Sequence, residues 1–310
     1  MASLVSAAGK SLRPHAKAHK CVEIAKRQLQ AGAIGVCAAT VAEAELMVHA
    51  GIRGVLLTSP LADISKMKRM AALAAIADDT AVVVDHPQEV QLYRDAALEA
   101  GVTLNVVIDL DVGDHRTGIA PGLPVLRLAR DILDGNGLSF QGLQAYSVRA
   151  SHLPGVEERR QFSVNAMRCA VETRDLLMSE GVPVKILTGG STGTYGIDTS
   201  AAELTELQAG SYAFMDGAYQ RIGGVQFGQA LSVLATVISA NHPDRVTVDA
   251  GFKAFSTDRP FGPDLLEIAG ARYEWAGDEF GYVYLDQPSQ RIRLGDRLRF
   301  VPPHCDPTVN

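Results

Sequence analysis

The sequence lacks the features of proteins that bind nucleic acid, span a membrane or are secreted. Its formal net charge is −6, its pI is about 5.8, and it contains no run of basic residues. Nucleic-acid binding needs a basic surface, so nucleic acid is excluded as a partner. No apolar stretch approaches the ~20 residues that a membrane-spanning helix requires. The N-terminal segment lacks the charged and apolar regions of a secretory signal peptide, so none is expected.

Paired cysteines are absent as well. The four cysteines, Cys21, Cys37, Cys169 and Cys305, are scattered, which is typical of reduced thiols in a cytoplasm. No internal repeat is visible, and no Gly-x-Gly-x-x-Gly follows an early strand-like run, which disfavours an open dinucleotide-binding sheet. The chain is instead 47% hydrophobic, which is enough to bury a sizeable core.

From Arg13 to about Met215, short β-branched runs alternate with longer amphipathic runs, which predicts parallel β-α units. Eight strand-like runs match the number that closes a (β/α)8 barrel. We therefore predict an α/β fold with a TIM-type barrel over residues 1–240. The predicted strands are Arg13–His19, Ile34–Ala39, Gly54–Thr58, Ala81–Asp85, Leu104–Leu110, Phe140–Ser147, Val184–Thr188 and Leu207–Met215. The predicted helices include Val22–Gln30, Val41–Ala50, Pro87–Ala100, Leu123–Leu133 and Val156–Ser179.

The pattern changes after about Gly223. An amphipathic run, Gln226–Ser239, precedes β-like pieces that are separated by turn residues and not by helices. This predicts a smaller antiparallel β domain over residues 241–310. Its predicted strands are Arg245–Asp249, Tyr273–Trp275, Tyr282–Leu285 and Arg291–Val301.

Polar residues gather near the carboxyl ends of the predicted barrel strands, where barrel enzymes place their chemistry. Lys17 lies towards the end of the first strand, Arg116 follows the fifth and His152 follows the sixth. The Gly/Ser/Thr run from Thr188 to Thr194 follows the seventh strand. Its glycines let the backbone approach an anion, and its amides and hydroxyls suit a phosphate. A flexible loop is the alternative.

Two short segments predict specific chemistry. Lys17 stands between His15 and His19, and burial and like charge both favour the neutral amine that a Schiff base needs. A surface lysine is the alternative. His304 and Asp306 stand two apart in a proline-flanked segment, which predicts an extended chain with both side chains on one side and Cys305 opposite. Imidazole and carboxylate suit Mn²⁺, Mg²⁺ or Zn²⁺, and a simple hydrogen-bonded pair is the alternative.

In their order along the chain, these motifs resemble the D-threonine aldolase and D-serine dehydratase-like family. Its members are fold-type III pyridoxal-phosphate (PLP) enzymes with an alanine racemase-like barrel. The resemblance runs from Leu12 to Asn310. The segments that carry it are Arg13–Lys20, Gly113–Gly118, Gly142–Tyr146, Thr188–Thr194, Leu207–Asp216 and His304–Thr308.

The resemblance implies roles for particular residues. Lys17 would form the Schiff base with PLP, Arg116 would approach the phenolic oxygen of the cofactor, and Tyr146 would lie against it. His304 and Asp306 would bind a divalent metal. The dehydratase branch tends to have cysteine at the second ligand position, so Asp306 resembles the aldolase branch. The residues implied to hold the cofactor phosphate are Gly190, Ser191, Thr192, Gly193 and Tyr212.

The predicted activity is PLP- and metal-dependent cleavage of D-threonine or a related D-3-hydroxy amino acid to glycine and an aldehyde. The base would be His152 or a metal-bound water. The alternatives are a D-serine or 3-hydroxyaspartate dehydratase, an amino-acid racemase and a non-catalytic PLP-binding protein. By the same resemblance we expect a homodimer with a small amino-acid substrate. The scattered cysteines and the lack of a long apolar stretch predict a cytoplasmic protein without a membrane partner. Relatives usually extend further at both ends, so a truncated chain is expected.

Overall fold

The chain divides into two compact units, Met1–Gly210 and Ser211–Asn310, in a computed structural model that describes residues 1–201 and 203–309. This division precedes the predicted boundary between residues 240 and 241. The difference arises because the amphipathic run Gln226–Ser239 contains a strand, Val233–Ser239, that pairs within the second unit. Alternate burial along that strand gave the run its amphipathic character.

The described residues of the first unit form one eight-stranded parallel sheet. Its strands are β1 (Ser11–Leu12), β2 (Val36–Ala38), β3 (Val55–Leu57), β4 (Ala81–Val84), β5 (Leu104–Asp109), β6 (Leu138–Ala145), β7 (Ile186–Gly189) and β8 (Glu206–Leu207). Their order is β1-β8-β7-β6-β5-β4-β3-β2. A parallel bridge pairs His15, which follows β1, with Cys37 of β2. Because β1 and β2 are the two ends of the strand order, this bridge curls the sheet round as the predicted barrel requires.

Helices alternate with these strands, and the five predicted helices form within one residue of their predicted bounds. Local signals explain this accuracy: His86 caps the fifth helix, Pro87 begins it and Gly101 ends it in the left-handed conformation. The helices are α1 (Ala2–Ala7), α2 (Val22–Gln30), α3 (Val41–His49), α4 (Ile64–Ile76), α5 (Pro87–Ala100), α6 (Leu123–Leu133), α7 (Val148–His152), α8 (Val156–Ser179) and α9 (Tyr195–Asp198).

The predictions for the first and last barrel strands are wrong in position: β1 ends before the predicted strand Arg13–His19 begins, and β8 shares only Leu207 with the predicted strand Leu207–Met215. β1 stops at Leu12, and the segment Ala16–Ala18 that contains Lys17 is a 3₁₀ turn, not the end of a strand. β8 stops at Leu207, and Ser211–Ala213 is a second 3₁₀ turn. Alanine-rich segments carry no alternation that separates a strand from a turn, and Pro14 has no amide hydrogen for the sheet.

The described part of the second unit contains a six-stranded antiparallel sheet, which confirms the predicted β domain. Tyr273 lies in its core, where its hydroxyl donates to the carbonyl of Ala250 at 2.8 Å. The strands are β9 (Val233–Ser239), β10 (Arg245–Val248), β11 (Asp264–Leu265), β12 (Ala271–Trp275), β13 (Gly281–Leu285) and β14 (Arg297–Val301). Their order in the sheet is β11-β14-β9-β10-β13-β12. The helices are α10 (Gly217–Arg221) and α11 (Cys305–Thr308). In the described residues of the chain, no helix is both long and apolar enough to cross a membrane.

Candidate active site

A cavity of about 160 Å³ lies at the carboxyl ends of the barrel strands, and it contains Lys17. The structure brings Lys17, Arg116 and Tyr146 together there, although they come from segments after β1, β5 and β6. Such convergence is the usual consequence of a parallel barrel, whose loops at one rim all face the same space. The residues that line the cavity are His15, Lys17, Ala39, Thr58, Ser59, Arg116, Gln144, Tyr146 and Gln208.

The cavity is electropositive. The Lys17 Nζ lies 5.8 Å from the centre of the Tyr146 ring, and the Arg116 Cζ lies 5.2 Å from the same centre. Both distances are within the range of cation–π attraction. Burial, together with the charges of Lys17, His19 and Arg116, holds the pKa of His15 well below its usual value, so His15 is neutral near pH 7. Two cations around one aromatic face suit a planar, anionic ligand.

The loop that carries Arg116 is held by Asp111 within it and by Asp85, which follows β4. Asp111 Oδ1 accepts from the backbone amides of Gly113 and His115, each at 3.0 Å. Gly118 donates its amide to Asp85 Oδ2 at 2.7 Å, and its φ is +102°. A Cβ at this glycine would lie 2.3 Å from the Asp111 nitrogen, so a side chain would push the loop apart. Arg116 therefore reaches the cavity from a fixed loop.

Two glutamines form part of the cavity wall, and sequence reasoning gave them no role. Gln144 donates to Asp109 Oδ1 at 2.8 Å and to the Thr58 carbonyl at 3.2 Å. Gln208 donates to Gln144 Oε1 at 3.0 Å and to Thr188 Oγ1 at 3.1 Å. Gln144 had a visible signal, because a residue two positions before Tyr146 in a strand points to the same side.

The Gly/Ser/Thr loop follows β7 and is tightly packed. A Cβ at Gly190 would lie 2.5 Å from Asp198 Oδ2 and from Leu207 Cδ1, so only glycine fits. The Ser191 amide donates to Thr194 Oγ1 at 3.1 Å, and the Gly193 amide donates to Ser191 Oγ at 3.1 Å. Thr194 in turn donates its hydroxyl to Asp198, which also accepts from Ser163. The loop is therefore fixed to a buried carboxylate behind it.

Burial raises the pKa of Asp198 to about 6 from an ordinary value of 3.8. The folded protein thus binds this proton more tightly than the unfolded chain, and the contribution of Asp198 to the free energy of unfolding falls as pH rises from about 4 to about 6. Asp198→Asn removes this dependence. Relative to the natural protein, the variant should gain roughly 3 kcal/mol of unfolding free energy between pH 4 and pH 7. Urea unfolding at several pH values measures the difference, and parallel stability curves would contradict the assignment.

Of the predicted site residues, only Lys17, Arg116 and Tyr146 are among the described residues that line the Lys17 cavity. His152 is the last residue of α7, and its Nδ1 lies 3.4 Å from the carbonyl of Val148 one turn earlier. It is absent from the described residues that line the cavity. Tyr212, predicted in the eighth strand, belongs to the second unit, where its ring centre lies 5.7 Å from that of Phe227.

His304 and Asp306 face each other, but not on an extended chain as predicted. His304 has extended backbone and caps α11, which begins at Cys305. The helix begins there because the buried Asp216 carboxylate accepts the Cys305 amide at 2.9 Å. The His304 Nε2 and Asp306 Oδ2 atoms lie 3.8 Å apart. Metal bonds of about 2.0–2.2 Å allow two ligands of one ion to lie up to about 4.4 Å apart, so the pair fits a shared cation.

In the part of the chain that the structure describes, no group of three or more His, Cys, Asp or Glu side chains could hold a metal. A cation held by His304 and Asp306 would therefore take its other ligands from water or substrate.

Comparison with known proteins identifies the family. Residues 1–217 match the family model "Alanine racemase, N-terminal domain", and residues 230–310 match "Putative serine dehydratase domain". The chain is 41% identical to the D-threonine aldolase of Arthrobacter sp, with 97% of this chain and 79% of the relative covered. It is 33% identical to a 3-hydroxy-D-aspartate aldolase of Paracoccus denitrificans (strain Pd 1222), with 100% and 82% covered.

Solved structures give the same result. The D-threonine aldolase from Filomicrobium marinum superposes with a TM-score of 0.96 at 36% identity, covering 100% of this chain and 84% of that one. A metal-free cysteine-to-alanine variant of D-threo-3-hydroxyaspartate dehydratase superposes with a TM-score of 0.85 at 29% identity, covering 98% and 86%. The predicted resemblance is confirmed. The chain belongs to the alanine racemase-like family of PLP enzymes, and within it to the group of the aldolases, which are carbon–carbon lyases.

Proposed function

We propose that this protein is a PLP- and divalent-metal-dependent aldolase that cleaves D-threonine or related D-3-hydroxy amino acids to glycine and an aldehyde. The observation that carries the proposal is the meeting of Lys17, Arg116 and Tyr146 around one cavity in a chain whose relatives are aldolases. An amine, a fixed cation and an aromatic face in one rim cavity are the groups that a PLP enzyme needs.

Each of these side chains has a distinct part in holding the cofactor. Lys17 would supply the amine for the Schiff base, Tyr146 would pack against the ring, and Arg116 would stabilise negative charge on the phenolic oxygen. When bound, PLP supplies the electron sink for the pair of electrons released from the Cα–Cβ bond. The residues proposed to bind its phosphate are Gly190, Ser191, Thr192, Gly193 and Tyr212. The position of the loop directly after β7 supports this part, because barrels often bind phosphate at the loops after strands seven and eight.

The metal part of the proposal assigns a divalent cation, Mn²⁺, Mg²⁺ or Zn²⁺, to His304 and Asp306. Their separation of 3.8 Å supports it. When bound, the cation would lower the pKa of the 3-hydroxyl of the substrate. We assign to His152 the acceptance of the hydroxyl proton, since it follows β6 at the rim where barrel catalysis occurs.

A dehydratase is the second candidate function, and it is favoured by the similarity to D-threo-3-hydroxyaspartate dehydratase. The ligand chemistry argues for the aldolase. Asp306, and not a thiol, faces His304, and the neighbouring Cys305 is buried with its Sγ 3.2 Å from Asp306 Oδ1. A carboxylate selects harder cations such as Mn²⁺ and Mg²⁺, whereas a thiolate selects Zn²⁺.

A product assay tests the proposal. The purified protein receives PLP and Mn²⁺ and is given D-threonine, L-threonine or D-serine separately. Glycine and acetaldehyde should form from D-threonine alone, and a chelator should stop their formation. L-Threonine serves as the stereochemical control. Pyruvate and ammonia from D-serine would identify a dehydratase. A Schiff-base absorbance without turnover of any substrate would identify a cofactor-binding protein without this chemistry.

We also propose that the enzyme acts as a homodimer in a reducing cytoplasm, on a small amino-acid substrate. All four cysteines are unpaired, which supports a reducing compartment. The dimer rests on the family resemblance.

A further inference from the structure

The ring of His304 contacts a second acidic residue, Asp258, in addition to Asp306. The His304 Nδ1 atom lies 2.8 Å from Asp258 Oδ2, while Nε2 is the ring atom that faces Asp306. A carboxylate can only accept, so this contact requires the hydrogen of the neutral ring to sit on Nδ1. The Nε2 lone pair then points towards Asp306, which is the tautomer that a metal ligand needs.

Asp258 has a cationic neighbour on the same oxygen. The Arg259 Nε lies 3.5 Å from Asp258 Oδ2, the same oxygen that contacts His304. The backbone of His304 is fixed separately, because its amide donates to Ser256 Oγ at 3.0 Å and its carbonyl accepts from Thr308 Oγ1 at 2.7 Å. The main chain of His304 therefore does not depend on Asp258, and the contact with Asp258 acts on the ring alone.

Asp306 is oriented in the same way from its other side. Its Oδ1 lies 3.4 Å from Ser211 Oγ and 3.2 Å from Cys305 Sγ, both of which can donate to it. Its Oδ2 is the oxygen that faces His304 Nε2. His304 Nδ1 and Asp306 Oδ1 thus contact neighbours, while His304 Nε2 and Asp306 Oδ2 face each other.

We propose that Asp258 is a positioning residue for the divalent-metal site, fixing the tautomer and the angle of the His304 ring. The inference rests on the proposed metal role of His304 and Asp306 and deepens it. Carboxylates that hold a metal-binding histidine in this way typically contribute 10–100-fold to metal affinity. Asp258 does not contact the cation in this assignment.

The test is a Mn²⁺ titration of the chelator-treated, PLP-loaded full chain, with free Mn²⁺ followed by electron paramagnetic resonance. Asp258→Ala should weaken Mn²⁺ binding by about 10–100-fold. Asp258→Asn, whose amide oxygen can still accept from Nδ1, should retain most of the affinity. Asp286→Ala is the matched control, since Asp286 also pairs with an arginine (Arg272 Nε at 3.0 Å) in the same unit. His304→Ala should remove the site.

The variants separate the possible outcomes. Wild-type affinity in Asp258→Ala, with loss in His304→Ala, would overturn the role of Asp258 and leave the metal site intact. Equal losses in Asp258→Asn and Asp258→Ala would make Asp258 a direct ligand and also overturn the inference. Absence of Mn²⁺ binding by the natural protein would overturn both the inference and the metal part of the proposed function. The side chain of Asp258 is 44% exposed, so its variants should unfold in chelator at the same temperature as the natural protein.

Discussion

Lys17→Ala is expected to reduce the cleavage of D-threonine by roughly 10⁴-fold or more, because no other amine replaces a lost covalent catalyst. The variant should also lose the Schiff-base absorbance near the visible edge, even with PLP in excess. Lys17 lies in the rim cavity beside Arg116 and Tyr146, so the loss follows from its position as well as from its chemistry. Absorbance spectra and initial rates on the same samples measure both effects.

Two further variants are controls. One keeps the positive charge at position 17 without a Schiff-base amine, and the other removes a different lysine. Lys17→Arg keeps a cation near the Tyr146 ring but cannot form the Schiff base, so it should be as inactive as Lys17→Ala. Lys20→Ala removes a lysine three positions away that does not line the cavity, and it should keep both absorbance and activity. Borohydride reduction of the holoenzyme should fix the cofactor on the peptide that contains Lys17. Label on another lysine would contradict the assignment.

The barrel and its helices could be predicted because their signals are local. Parallel strands are buried on both faces and appear as continuous apolar runs; all four residues of β4 are buried. The helices carry their start and stop residues with them, as His86 and Gly101 do for α5. Neither signal depends on contacts between residues far apart in the sequence, so both can be recognised in a single sequence.

The 3₁₀ turn Ala16–Ala18, which contains Lys17, and the boundary between the two units could not be predicted. Both are determined by contacts between residues that are far apart in the sequence. The segment before Lys17 is fixed by a bridge from His15 to Cys37, and the Cys37 amide bonds to the Pro14 carbonyl at 2.9 Å. Arg13, in the same motif, faces a different partner: its Nε donates to Glu206 Oε2 at 2.9 Å. The strand-like pattern does not show that Arg13 pairs with Glu206 in the barrel while Lys17, in the same motif, lines the cavity.

The reactive groups of the candidate site could be predicted from the sequence, but the residues that position them could not. Lys17 and Tyr146 lie near the carboxyl ends of predicted strands and Arg116 follows one, so the barrel rule brings them to one rim. Gln144 and Gln208 are 64 positions apart, and their contact appears only once β6 and β8 have been placed in the same barrel. Asp258 lies 46 positions before His304. Supporting residues of this kind act through one hydrogen bond, and a single hydrogen bond leaves no periodic signal in the sequence.

Asp306→Ala is expected to lower cleavage of D-threonine by roughly 10³-fold and to remove its stimulation by Mn²⁺, because the cation would lose one of the two protein ligands proposed for it. The absorbance of the bound cofactor should persist, since PLP is assigned to groups in the first unit and Tyr212. Rates with and without Mn²⁺, together with spectra, measure the effect. Retention of full activity would remove Asp306 from the mechanism.

The matched control for Asp306 is its neighbour. Cys305→Ser replaces a buried thiol by a hydroxyl that can still donate to Asp306 Oδ1, so Mn²⁺-dependent cleavage should continue. Asp306→Cys then tests the branch of the family: a thiolate favours Zn²⁺ over Mn²⁺, and the variant should lose its response to Mn²⁺. If Cys305→Ser and not Asp306→Ala removed the metal dependence, the thiol would be the second ligand, and the dehydratase would become the better assignment.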